Sequence, residues 1–334
     1  MTSKEWTIPD LLQLSGGYWS ACALHAGVAL DIFTPLSAGT CDAAGVAKAC
    51  SADRRGTEML LNALAALGLV TKQGDSYSAT DFSARYLASG SPEYLGHIIR
   101  HHHHLMAGWA ELHQAVISGR PVRQRVSHGD DRQIRESFLM GMYNLASQLA
   151  PQVAAGLDLS GCSRLLDLGG GPGTYAIHFC LRNPQMTAVV YDLPTTREFA
   201  ESTIHRHGLS ERISFSAGDY HADPVPAGFD VAWLSHILHA DSAADCATIL
   251  AKGVKALKPG GRLMVQEFIL DDAKDGPLFP ALFSLNMLQG TPGGQSYSGA
   301  EIRQMMEEAG LTDVRRVDAP LPNGAGIMVG RLPG

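Results

Sequence analysis

The chain has 334 residues, enough for two domains each with its own core, and its 45% hydrophobic and 18% charged content is that of an ordinary globular protein. Its 26 basic and 33 acidic residues give a formal charge of −7 with no basic block or stripe. That excludes nucleic acid as an expected partner, because phosphate binding needs concentrated positive charge. Six scattered cysteines without a C-x-x-C pair suit reduced thiols better than a disulfide framework.

Met1 to Asp10 is polar, and the apolar run from Ala21 to Phe33 is broken by His25, Gly27 and Asp31. The run is too short for a membrane span and lacks the flanks of a signal peptide, so no membrane partner and a cytoplasmic location are expected. Leu11, Leu14, Trp19, Ala23, Leu24, Val28, Leu30 and Ile32 recur at helical spacing and predict one or two buried helices. Helices over 40–49 and 51–67 follow, then a hairpin over 68–80 turning at Gly74-Asp75. Three helices and a small β-wing make a winged-helix pattern, a module that usually reads DNA. Its candidate recognition helix carries only Arg54 and Arg55 and is otherwise apolar (Met59, Leu60, Leu61, Leu64, Leu67). Such a face suits packing against another subunit.

Residues 92–158 read as mostly helical, with a polar break at 119–131. From Cys162 onward, strands (163–168, 187–192, 212–217, 229–235, 262–269, 312–318, 325–331) alternate with helices (173–182, 195–207, 242–257, 277–289, 298–309). Alternation of this kind predicts an α/β fold, a doubly wound sheet of about seven strands. Domain boundaries are expected at 1–95, 96–158 and 159–334.

Arg164 to Leu168 reads as a buried strand that opens into Gly169-Gly170-Gly171-Pro172-Gly173 before a helix. Bare backbone at the carboxyl end of a first parallel strand is where such sheets hold nucleoside cofactors. Two cofactors compete on the local pattern. Gly171 to Ala176 satisfies G-x-G-x-x-A, the dinucleotide fingerprint, while Asp167-Leu168-Gly169-Gly170-Gly171 fits the acidic-x-G-x-G loop that grips S-adenosylmethionine. Asp192, ending the second strand, can accept from ribose hydroxyls of either and does not discriminate.

Lys258-Pro259-Gly260-Gly261 feeding an apolar strand, together with Asp167–Gly173, Asp192-Leu193-Pro194 and Gly218-Asp219-Tyr220, resembles the S-adenosylmethionine-dependent O-methyltransferases. The resemblance is to the plant phenylpropanoid and bacterial hydroxyneurosporene-type small-molecule enzymes. It covers nearly the whole chain and implies a class I methyltransferase sheet behind a winged-helix dimerisation domain (1–95), a helical connector lining the acceptor pocket (96–158) and a homodimer. S-adenosylmethionine would be converted to S-adenosylhomocysteine. Carried over, Gly169, Gly170 and Gly171 lie along the methionine and ribose, Asp192 and Leu193 at the ribose, and Gly218, Asp219 and Tyr220 at the adenine. Ser235 stands where plant relatives have a lysine.

The resemblance places the catalytic histidine at His239 and the carboxylate that orients its ring at Glu267. The usual aspartate after the histidine is Ala240 here, with Asp241 one place later, and a second supporting glutamate falls at Ser296. A histidine with a pKa near 6.5 can take a phenolic proton, and general-base help is worth on the order of 10²–10⁴ in rate. His236, three residues earlier and potentially on the same helical face, is a rival base or an acceptor contact. Acceptor contacts implied by the resemblance are Arg100, His104, Phe138, Met142, His236, Phe283, Asn286, Met287 and Thr291, an apolar slot suited to an aromatic hydroxyl. The run His101 to His104 invites a metal, but four consecutive residues point all round a helix, so no metal is expected. Methylation of nitrogen or carbon, loss of transfer, a nicotinamide enzyme and a ligand-sensing regulator are the alternatives.

Overall fold

In the N-terminal part of the chain, side-chain caps start the helices that begin at Ile8, Ala43, Arg54 and Asp81 in this computed structural model, which describes residues 5–125 and 131–334. Thr7 and Asp10 form a capping box on α1 (Ile8–Gly16), which is followed by α2 (Tyr18–Ala29) and α3 (Phe33–Ala38). Strand β1 (Cys41–Asp42) leads into α4 (Ala43–Ala49), where the Asp42 carboxylate accepts from Gly45 N at 2.8 Å, and Asp53 does the same for Gly56 at the start of α5 (Arg54–Ala66). The hairpin β2 (Val70–Gln73) and β3 (Ser76–Ala79) then pairs with β1 in the order β1-β3-β2. Helix α6 (Asp81–Tyr86) precedes α7 (Gly96–Ala110). The chain forms one compact unit ending at Leu105 and a second from Met106 to Gly334.

Val28, Ile32, Phe33, Leu36, Val46, Leu61, Leu64 and Tyr77 make the core of the first unit. The apolar periodicity near the N-terminus does not all turn inward. Leu11, Leu14 and Trp19 are 59%, 66% and 70% exposed and α1 buries none of its residues, which corrects the expectation of buried helices. Among the described residues no surface covers that stripe. The sequence helix over 40–49 begins only at Ala43, because Cys41 and Asp42 are drawn into pairing with Tyr77 and Ser76.

The second unit opens with α8 (Leu112–Ser118) and α9 (Arg132–Gly156). The expected polar break at 119–131 lies partly outside the described residues, as do the first four residues. Then β4 (Arg164–Leu168), α10 (Thr174–Arg182), β5 (Thr187–Asp192), α11 (Arg197–Arg206), β6 (Ile213–Ala217) and β7 (Phe229–Ser235) follow in turn. They are succeeded by α12 (Ala243–Ala256), β8 (Leu257–Phe268), α13 (Leu278–Gly290), α14 (Gly299–Glu308), β9 (Thr312–Arg316) and β10 (Ala325–Arg331). The seven strands run in the order β6-β5-β4-β7-β8-β10-β9. Pairing is parallel from β6 to β8, and β10 is antiparallel to both its neighbours. Strand order reverses at β4, so the ends of β4, β5 and β7 open on one crevice, the ligand side of such sheets.

Strand residues alternate between two cores, as a period of two requires. Leu166, Leu168, Leu234, Leu263 and Val265 face one side, and Leu165, Val231, Trp233 and Met264 the other. Both faces are covered, which is why these strands read as continuous apolar runs. Strand β8 starts at Leu257, five residues before the sequence expectation of 262: Phe229 pairs with Leu257 but Val231 with Arg262, so the Lys258–Gly261 turn is a bulge inside the strand. Among the described residues no helix is long and apolar enough to cross a membrane.

Candidate active site

The glycine turn after β4 is shaped by what lies beneath and above it. Gly169 and Gly171 have φ of +68° and +53°, conformations that exclude most side chains. A Cβ on Gly169 would stand 2.8 Å from Ile237 and 3.4 Å from the Tyr220 ring, and one on Gly170 would stand 2.6 Å from the Asp167 carboxyl carbon. Asp167 is therefore under the loop, 1% exposed, with Ala176 N donating to it at 3.2 Å. Burial pushes its carboxyl up to about 7, against the pull of that N–H.

Asp192 ends β5 beside the same loop. It accepts from Gly171 N at 2.8 Å, Leu193 N at 2.7 Å and the Thr196 hydroxyl at 2.9 Å, and burial raises its carboxyl pKa against these bonds. An ionised carboxylate has about four lone-pair sites, so one direction is left for a ligand. Gly218 packs on the Tyr191 phenol, and Asp219 caps its own turn by accepting from His221 N at 2.8 Å. Tyr220 accepts from Arg125 at 3.3 Å. Ser235, at the end of β7, lies beside Tyr175, whose phenol burial pushes up to about 12.

Across the crevice, β7 ends in a turn that carries both histidines. His239 Nδ1 meets Glu267 Oε2 at 2.7 Å, and His239 N donates to Oε1 at 3.2 Å. Glu267 projects from β8 and is 2% exposed. Burial opposes its charge, but the His239 imidazole and hydrogen bonds from both histidines hold it well below the usual carboxylate range. Contrary to the sequence expectation, His236 does not share a helical face with His239. It takes a left-handed φ of +56° at the strand end, its N–H bonded to Gln266 O at 2.8 Å, and His239 sits in a short 3-10 turn, Leu238–Ala240. That backbone still brings His236 Nδ1 within 3.6 Å of Glu267 Oε2.

His236, His239 and Glu267 each present a possible metal-ligand atom within 4.8 Å of the others. Two donors bound tetrahedrally at about 2.0–2.1 Å from zinc stand about 3.3 Å apart, whereas His239 and Glu267 share a proton at 2.7 Å. Phe283 of α13 packs edge-on against the His239 ring at 4.8 Å, and Phe268 lies 4.3 Å from the His236 ring. Asn286 and Met287 continue along α13 beyond Phe283 and Thr291 caps its end, all buried. Phe138 and Met142 stand one turn apart and half-buried on α9. Arg100 and His104 belong to α7 in the first unit, where Arg100 donates to Val28 O at 3.4 Å.

Several groups had no distinctive sequence signal. Arg125 donates to Asp241 at 3.2 Å as well as to Tyr220, and His221 Nε2 lies 3.3 Å from the same carboxylate oxygen. Asp241 is thus turned to Arg125 and His221. Ser296 donates to Pro280 O at 2.9 Å.

Residues 109–312 match the O-methyltransferase domain, and residues 12–89 the O-methyltransferase dimerisation domain. The chain is 36% identical to the 3-hydroxy-5-methyl-1-naphthoate 3-O-methyltransferase of Streptomyces sahachiroi, over 98% of this chain and 97% of that one. It resembles the structure of an O-methyltransferase family protein from Burkholderia thailandensis with a TM-score of 0.87, 30% identity and 99% of each chain covered. Human N-acetylserotonin methyltransferase in complex with SAM superposes with a TM-score of 0.86 at 27% identity over 100% of each chain. The chain belongs to the S-adenosylmethionine-dependent O-methyltransferase family. Its crevice fits that donor: bare glycine backbone, a carboxylate with an open lone pair and the Tyr220 ring share one rim.

Proposed function

We propose that the protein methylates a hydroxyl on an aromatic or heteroaromatic small molecule, with His239 as general base. The observation that carries this reading is the 2.7 Å bond from His239 Nδ1 to buried Glu267. A carboxylate accepts only, so Nδ1 keeps its hydrogen and Nε2 presents a lone pair to the acceptor. The Gly169–Gly171 backbone, Asp192 and Leu193 would hold the ribose and methionine parts of the donor, with Gly218, Asp219, Tyr220 and Ser235 at its other edge. Bound there, S-adenosylmethionine supplies a methyl group already made electrophilic by its sulfonium.

The protein's own work is to hold the acceptor oxygen in line and to take its proton. His239 Nε2 receives the proton, and Glu267 stabilises the imidazolium. Phe283, Met287, Phe138 and Met142 supply flat apolar contact, and Asn286 and Thr291 supply polar atoms. His236 shares Glu267 but sits farther from it, and we assign it to the acceptor side. Transfer on this reading needs no metal and is unchanged by EDTA. The exposed stripe of α1 and Trp19 is assigned to a homodimer in the cytoplasm, and Trp19→Glu should then sediment as a monomer.

The test is methyl transfer from labelled S-adenosylmethionine to a panel of hydroxylated aromatics. His239→Ala should lose about 10²–10⁴ in rate while still binding S-adenosylhomocysteine. Turnover of the variant at the unaltered rate removes His239 from the reaction.

A further inference from the structure

Among the described residues Arg123 is a guanidinium with no acid beside it. It follows α8 and lies against the end of α13, and burial alone lowers its pKa. Its hydrogen bonds go to neutral oxygens: Nη2 to the Asn286 carbonyl and amide oxygens, both at 3.3 Å, and Nη1 to Gln124 O at 3.4 Å. Its Nε is buried without a partner. Among the described residues no carboxylate lies within ion-pair distance of it. A helix C-terminus offers about half a negative charge, which leaves a desolvated cation half-compensated.

A second polar group beside it is also unsatisfied. Gln289 is fully buried, and neither its amide nitrogen nor its amide oxygen has a hydrogen-bond partner. Two glycines let these side chains lie close against the backbone. A Cβ on Gly290 would stand 2.5 Å from the guanidinium carbon of Arg123, and one on Gly108 would collide with the Gln289 amide oxygen. A buried cation and a buried amide left open together cost free energy that an anionic ligand would recover.

We propose that Arg123, with Gln289 and Asn286, forms an anion subsite that binds a carboxylate carried by the methyl acceptor. The proposal rests on the acceptor slot assigned above and adds the substrate class: a hydroxylated aromatic acid. Phe283 touches the His239 ring, and Asn286 and Gly290 lie three and seven residues farther along α13. At 1.5 Å per residue these offsets are about 5 and 10 Å. A carboxylate and a reacting hydroxyl at the two ends are therefore separated by the width of one or two fused rings. An ortho-hydroxy acid is too short to reach both.

Calorimetry on the full-length protein with S-adenosylhomocysteine present reads the subsite without turnover. 1-Naphthoate should bind about 10–100-fold more tightly than naphthalene-1-carboxamide, the range expected for a charge-assisted contact. Gln289→Glu places an internal carboxylate beside the guanidinium and should abolish that preference. Arg123→Met should abolish it too, while S-adenosylhomocysteine still binds with unchanged affinity. Equal affinity for the two ligands in the unaltered protein overturns the subsite, and so does an acid preference that survives in Gln289→Glu. Failure of S-adenosylhomocysteine to bind, or of any hydroxylated aromatic to accept a methyl group, would instead sink the methyltransferase reading itself.

Discussion

Replacing Glu267 by glutamine keeps the shape of the base's support and removes its charge. On the proposed assignment of His239 as base, the imidazolium formed during transfer and the carboxylate share the 2.7 Å hydrogen bond, so their charge centres stand about 4 Å apart. At an effective dielectric of about 20 that attraction is worth about 4 kcal/mol. At ~1.36 kcal/mol per decade, its loss slows transfer about 10³-fold. A tautomer effect adds to this. The glutamine oxygen can still accept from the His239 N–H, as Oε1 now does at 3.2 Å, but its amide nitrogen then faces Nδ1. Nδ1 must become the acceptor, which places the hydrogen on Nε2 and removes the lone pair that takes the substrate proton. Single-turnover transfer of a labelled methyl group, measured with S-adenosylhomocysteine affinity as a control, should show kcat reduced by about 10³ or more with donor-site affinity unchanged. A loss below tenfold would refute the assignment of Glu267 as the group that holds the base.

His236→Ala should lower kcat less than tenfold, because its Nδ1 is 3.6 Å from Glu267 against 2.7 Å for His239; a loss equal to that of His239→Ala would make His236 the base. Asp192→Asn should weaken S-adenosylhomocysteine by about 10–100-fold in calorimetry, since a charged acceptor is lost where ribose hydroxyls are expected; unchanged affinity would move the ribose elsewhere. Asp167 carries a pH signature: its carboxyl rises from 3.8 to about 7 on folding, so the folded state favours the protonated form. The contribution is present in full below about pH 4 and is lost as pH rises through about 7, an effect of about 4 kcal/mol. Urea melts at pH 5 and pH 8 should show about 2.6 kcal/mol of that loss in the parent, the rest falling below pH 5, and none in Asp167→Asn; parallel behaviour of the two would show that Asp167 is not the titrating group.

The parts of the fold legible in the sequence were those with a local period. Strands that alternate between two buried faces announce themselves within a few residues, whereas the caps Asp42 and Asp53, which set the helix starts at Ala43 and Arg54, were not read and those helices were begun too early. The glycine turn and the Asp192 strand end were legible for the same reason. The stripe through Leu11, Leu14 and Trp19 was read correctly as apolar and wrongly as buried, since periodicity reports a face and says nothing of what covers it. Cys41 and Asp42 became a strand because a hairpin more than thirty residues later offered an edge. Arg123 and Arg125 had no signal at all: their partners Asn286 and Asp241 lie 163 and 116 residues away, and no spacing rule relates them.

With His239 as the proposed base, the residue after it decides how much depends on one side chain. With Ala240 in place of the aspartate, the nearest acid is Asp241, and its carboxylate is engaged by Arg125 at 3.2 Å and lies 3.3 Å from His221. Its carbonyl accepts from Tyr297 at 2.7 Å, which fixes the segment in that orientation. Ser296, where a second glutamate would stand, spends its hydroxyl on Pro280 O. Among the described residues Glu267 is therefore the carboxylate that His239 has, and it also faces His236. A base held by two acids loses one with partial effect, because the second still fixes the tautomer. A base held by one acid loses tautomer, orientation and counter-charge in a single substitution, and so the effect at Glu267 should approach that of removing His239 itself.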